Sequence, residues 1–165
     1  MKFKEIFDCF LERKDSLKVV YVASCDRNWK PNSAAKMLVE MIPPNEILFL
    51  DYKFTRTYAN LREIPKLSLS FMDDVEFRGY RLTGVCTVMD SGEEFKYAQK
   101  IWERKLITYE ADRIIQRVKG FHSTREGENS LPEDFVIVRF TATEAAVIKP
   151  DRIFKAHRTF TVLAK

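Results

Sequence analysis

Short apolar and β-branched runs, each closed by a cluster of turn-forming residues, are the feature that most narrows what this chain can become. Between Lys18 and Asp26 lies VVYVASC, apolar on both faces, and Asp26, Arg27 and Asn28 follow as turn formers. A buried strand and a hairpin are expected there. The next strand runs from about Pro31 to Ile42, and Pro43, Pro44 and Asn45 make a second turn before the apolar run Ile47 to Leu50. Three strands joined by tight turns form a meander.

Helical spacing interrupts this pattern in three places. Phe3, Phe7 and Phe10, with Ile6 and Leu11 beside them, mark an amphipathic helix over about residues 2–14 that lies over the strands. Phe54, Tyr58 and Leu61 stand at i, i+4 and i+7, and Pro65 ends that short helix. Ser91 and Glu94 form a capping box before Phe95, Ala98, Trp102, Leu106 and Tyr109, one face of a long helix reaching about Val118. Trp102 and Tyr109 read as core. Leu67, Leu69 and Phe71 alternate with serines, and Tyr80, Leu82, Cys86 and Val88 alternate with Arg81, Thr83 and Thr87, giving two more strands. The polar stretch Lys119 to Asp134 is a long loop; FVIVRF and AAVI then read as two strands separated by Thr143 and Glu144. About seven antiparallel strands with two or three helices predict a closed antiparallel barrel with helices outside, in a single domain over residues 1–165 with a tail from about 151.

Composition excludes several classes. Hydrophobic residues at 45% and charged residues at 32%, with Gly at 5 and Pro at 6, argue against disorder and against a fibre. A formal charge of +4 without a dense Lys/Arg run suits phosphorylated small molecules and makes nucleic acid an unfavoured partner. Cys9, Cys25 and Cys86 lie far apart in the chain and form no zinc-ligand pattern, so they are expected as thiols. No stretch is long and apolar enough to span a bilayer and no apolar leader core is evident, so the expected compartment is the cytoplasm. His122 and His157 have no partners of a metal triad or of a nucleophile and its base around them.

The stretch that carries chemistry is Thr55-Arg56-Thr57-Tyr58-Ala59-Asn60, where a strand ends and a helix begins. Unpaired N–H groups and the positive end of the helix dipole favour an anion there. Arg56 adds a forked donor, Thr57 a hydroxyl and Asn60 an amide one turn on, a set able to hold a phosphate dianion. The same residues also suit a plain helix start, with Thr as a cap and Asn60 bonded to backbone.

Order and spacing over residues 18–150 add a resemblance. VYVASCDRNWKPNSAAKM, ILFLDYKFTRTYANL, IPKLSLSF, GYRLTG and FVIVRFTATEAAVI, in that order, resemble segments of the pyridoxamine 5′-phosphate oxidase-like family of FMN-binding split barrels. The resemblance implies a split β-barrel that holds FMN at the interface of a homodimer. It implies that Arg56, Thr57 and Asn60 bind the FMN phosphate, and that Asp51, Tyr52 and Phe54 border the flavin through backbone or edge contacts. It further places Ala35, Lys36 and Met37 against the isoalloxazine ring, with small Ala34 and Ala35 leaving room for a planar group. An inward-pointing Lys36 would stabilise the anionic reduced flavin, and Arg81 could face the same pocket; each could equally be a solvent-facing cation.

The resemblance stops short of a substrate. True pyridoxamine phosphate oxidases carry a late Trp followed by an Arg-rich substrate signature, whereas this chain ends RIFKAHRTFTVLAK with no Trp after Trp102. The flavin part therefore carries over and vitamin-B6 oxidation does not. An FMN-dependent oxidoreductase, with NAD(P)H or a small molecule as redox partner, is the expected function. The alternative is a non-catalytic module that stores or senses FMN, haem or a B6 vitamer, with His157 as the residue a haem would use.

Overall fold

Alternating runs become the staves of a closed barrel. The structure is a computed structural model that describes residues 3–14, 16–73, 77–118 and 134–148. Its strands are β1 (Val19–Cys25), β2 (Pro31–Ile42), β3 (Glu46–Tyr52), β4 (Lys66–Asp73), β5 (Arg78–Met89) and β6 (Phe135–Ile148). They close in the order β1-β2-β3-β6-β5-β4, and all the pairings are antiparallel, so this is the split barrel expected from the sequence. Among the described residues three helices attach to it: α1 (Phe3–Glu12), α2 (Arg56–Glu63) and α3 (Glu93–Val118). The long loop expected after Lys119, both histidines and the tail from residue 151 lie outside the described residues. Among the described residues, no helix is long and apolar enough to cross a membrane.

Two apolar clusters follow from the strand period, because successive side chains point to opposite faces. Val20, Val22, Leu38, Phe49, Leu69, Leu82, Val138 and Phe140 fill the barrel, and α1 adds Ile6, Phe7 and Phe10 to the same cluster. α1 thus plugs one end of the barrel as well as covering it. Phe10 meets Phe71 edge-on with centroids 4.3 Å apart, and each such buried ring contributes about 1.5–3 kcal/mol. The second cluster is outside, where Val39, Leu48, Leu50 and Ile137 pack under Ala98 and Trp102 of α3. Trp102 and Tyr109 pack edge-to-face at 6.2 Å in this layer, as core aromatics.

Among the described residues six strands replace the expected seven, because Thr143 and Glu144 do not break the last one. Thr83 pairs with Glu144 and Gly84 with Ala142, which leaves Thr143 as the extra residue of a β-bulge; its hydroxyl donates to the Thr83 carbonyl at 3.2 Å. Gly84 makes this possible, since a Cβ there would sit 2.0 Å from the Thr141 carbonyl oxygen. The capping box at Ser91 does not form either. The Gly92 carbonyl accepts the Lys96 N–H, so Gly92 holds the cap position, and the Ser91 hydroxyl donates to Asp90 instead. Glu94 turns to Arg139 at 2.9 Å.

Candidate functional site

β3 runs directly into α2, and the corner between them is built by Thr55. Its backbone is extended (φ −81°, ψ 153°), and its hydroxyl oxygen accepts the Tyr58 N–H at 3.0 Å, a standard N-cap. The first intrahelical bond runs from Ala59 N–H to the Thr55 carbonyl, so the N–H groups of Arg56 and Thr57 precede the helical ladder. No acidic residue stands in this first turn. The first turn itself thus offers no charge against the positive end of the helix, while the Asp51 carboxylate stands behind the cap and accepts from the Thr55 hydroxyl at 2.8 Å.

An open groove of about 670 Å³ lies against this corner, within the roughly 300–1,000 Å³ range of small-molecule sites. Thr55, Arg56, Ala59 and Asn60 line one side, and the β1–β2 turn at Asp26, Arg27 and Asn28 lines the other. The turn is fixed by the Asp26 carboxylate, which accepts the N–H groups of Asn28 and Lys30 at 2.9 Å each. Arg27 reaches Glu63 at 3.7 Å. Arg56 is exposed and has no hydrogen-bond or ion-pair partner among the described residues, which leaves its guanidinium available to a ligand in the groove.

Two other polar side chains of the stretch have partners within the protein. Thr57 is buried, and its hydroxyl oxygen accepts from Asn32 Nδ2 at 3.1 Å. Asn60 is buried and donates through Nδ2 to Ser24 Oγ at 3.1 Å. These two side chains tie α2 across the end of the barrel, so at Thr57 it is the backbone N–H, ahead of the helical ladder, that has no partner among the described residues.

Strand alternation separates the remaining candidates. Ala35, Tyr21, Ser70 and Arg81 are successive register partners across β2, β1, β4 and β5, an outward row in which Arg81 is exposed. Met37 shares the outward face of β2 and is half-covered by the α3 layer. Ala34 and Lys36 lie on the opposite face. Lys36 does point inward, but its ammonium is met by the Asp51 carboxylate at 2.5 Å, and the pair is buried, Lys36 at 8% and Asp51 at 0% exposure. Tyr52 and Phe54 stack at 5.5 Å between centroids, and Phe54, 78% exposed, stands at the groove edge.

Sequence reasoning missed the wall made by Asp26, Arg27 and Asn28, which it read only as a turn. No local signal marks it, because contact between that hairpin and α2 depends on barrel closure. Thr55 stands at the head of the stretch singled out in the sequence, and a Thr three positions before the Tyr58 N–H is a recognisable cap signal. Burial pushes the Cys86 thiol up to about 12, so it stays protonated at neutral pH and is no thiolate nucleophile or ligand.

The family described as Pyridoxamine 5′-phosphate oxidase matches residues 4–149 of the chain. The chain belongs to that family. Solved structures share its fold: HupZ of Group A Streptococcus (16% identity, TM-score 0.61, covering 91% of this chain and 96% of that one) is one. A Clostridium acetobutylicum protein related to general stress protein 26, of the pyridoxinephosphate oxidase family, is another (19%, TM-score 0.55, 92% and 99%). A third is a pyridoxamine 5′-phosphate oxidase-related, FMN-binding protein of Nostoc punctiforme (11%, TM-score 0.56, 90% and 85%). Among curated proteins no match was found.

Proposed function

We propose that this chain is an FMN-binding flavoprotein that acts as an oxidoreductase, with the flavin phosphate held at the start of α2. The observation that carries the reading is the groove at that corner, where Arg56, unpartnered among the described residues, and two N–H groups ahead of the helical ladder stand together, with Asp26 and Glu63 elsewhere in the lining. Those donors suit a phosphate dianion, supplying one full positive charge and N–H groups directed at oxygen. Family membership and the FMN-binding relative favour flavin over other phosphorylated ligands.

In this reading Arg56 and the Thr57 N–H bind the phosphate, while the Thr57 and Asn60 side chains keep α2 seated. The ring lies along the outward face, where small Ala35 leaves room beside Met37 and the Tyr52–Phe54 pair borders it. Arg81 sits in the same outward row and offers a positive charge to the ring edge or to a second copy of the chain. A homodimer closes the site, because Tyr21 at 54% exposure and the open row beside it would otherwise leave one face of the ring in water. Bound FMN supplies the redox chemistry; the protein excludes water and sets the orientation. Three free thiols are in keeping with a cytoplasmic protein.

Absorption between the near-ultraviolet and blue, followed through additions of NADH or NADPH and then air, tests the proposal. The expected result is a yellow protein that bleaches and recolours. Flavin that binds and stays oxidised would make the chain a carrier, and a protein that takes up no FMN on titration would end the reading.

A further inference from the structure

We propose that Lys36 and Asp51 are positioning residues that aim the Thr55 hydroxyl and so preset the phosphate-binding turn, an inference that rests on the flavin-phosphate reading above. Asp51 Oδ1 accepts three bonds, from Lys36 Nζ at 2.5 Å, from the Tyr52 N–H at 2.8 Å and from the Thr55 hydroxyl at 2.8 Å. A carboxylate can only accept, so the Thr55 proton is committed to Asp51 and the oxygen lone pairs are left for the Tyr58 N–H. The cap is thus held from behind, and its direction is set by a charge that lies inside the barrel. With Tyr58 satisfied in this way, the N–H groups of Arg56 and Thr57 are the ones left for a ligand.

The arrangement is costly, which argues that it does more than hold the fold together. Asp51 Oδ2 is buried with no partner among the described residues, while the bonding falls on Oδ1. A buried ion pair kept only for stability is commonly replaceable by apolar side chains at no loss. Here the pair joins β2 to the end of β3 and passes through one hydroxyl to the helix start. Lys36 therefore acts on the ligand through Thr55, its charge being taken up by Asp51.

FMN and riboflavin differ only in the phosphate, so their affinities, read by quenching of flavin fluorescence, separate aiming from general loosening. Lys36→Met and Thr55→Ala should each lower FMN affinity roughly tenfold and leave riboflavin affinity unchanged. Thr55→Ser should restore it, and Lys36→Arg should restore part of it. Equal losses for the two flavins would overturn the proposal. Hydrogen exchange at the Tyr58 amide, measured without ligand, provides an independent reading. It should speed up roughly tenfold in Lys36→Met and in the near-isosteric Asp51→Asn. Unchanged exchange would overturn the positioning role even if FMN binds. If the wild-type protein shows no preference for FMN over riboflavin, the flavin-phosphate reading fails, and Tyr58 exchange still decides whether Lys36 and Asp51 set the cap.

Discussion

The two ends of the barrel are closed by helices of opposite character. At one end α1 inserts Ile6, Phe7 and Phe10 among Phe71 and Tyr80, a contact made of aromatic rings. At the other, α2 is seated through Asn32–Thr57, Ser24–Asn60 and the Lys36–Asp51–Thr55 chain, contacts made of hydrogen bonds. Apolar burial is non-directional and stabilises wherever it occurs. Hydrogen bonds contribute less net stability but fix angles. The polar end is therefore the one suited to hold a ligand, and the apolar end the one that supplies stability.

That division can be broken by exchanging readouts. Phe10→Ala should cost about 3–5 kcal/mol in urea denaturation, the usual loss for a buried ring, while FMN affinity of the folded protein stays the same. Arg56→Ala should do the reverse, weakening FMN binding by about 1.5–3 kcal/mol in a fluorescence titration with the denaturation midpoint unmoved. Asn32→Ala removes one partner of Thr57 and should lower stability by about 0.5–1.5 kcal/mol, with faster hydrogen exchange confined to α2. Glu94→Gln, which breaks an ion pair at the start of α3, should change stability by less than about 1 kcal/mol and FMN affinity not at all. If Phe10→Ala and Arg56→Ala affected both quantities alike, the two ends would not be separable in function.

Much of the frame was legible because it depends on local period. The strands around Leu69 and Leu82 alternate within their own residues, those around Val20, Leu38 and Phe49 are apolar runs bounded by turn formers, and the helix start at Thr55-Arg56 has its signal within four positions. What stayed hidden depends on partners distant in the chain. Thr143 and Glu144 look like a break until Gly84, some sixty residues earlier, is seen to let the strands close around a bulge. Ser91 and Glu94 match a capping box, yet Gly92 between them takes the cap and Glu94 goes to Arg139. The direction of Lys36 was open because one residue of register decides it, and only the β2–β3 pairing sets it against Asp51. Arg27 entered the groove for the same reason, since closure of the barrel brings the first hairpin to α2.

A crystal structure grown with FMN tests the central claim most directly. Phosphate oxygens are expected about 2.7–3.2 Å from the Arg56 guanidinium and from the backbone N–H groups of Arg56 and Thr57. A phosphate bound elsewhere, with the α2 corner holding only solvent, would contradict it.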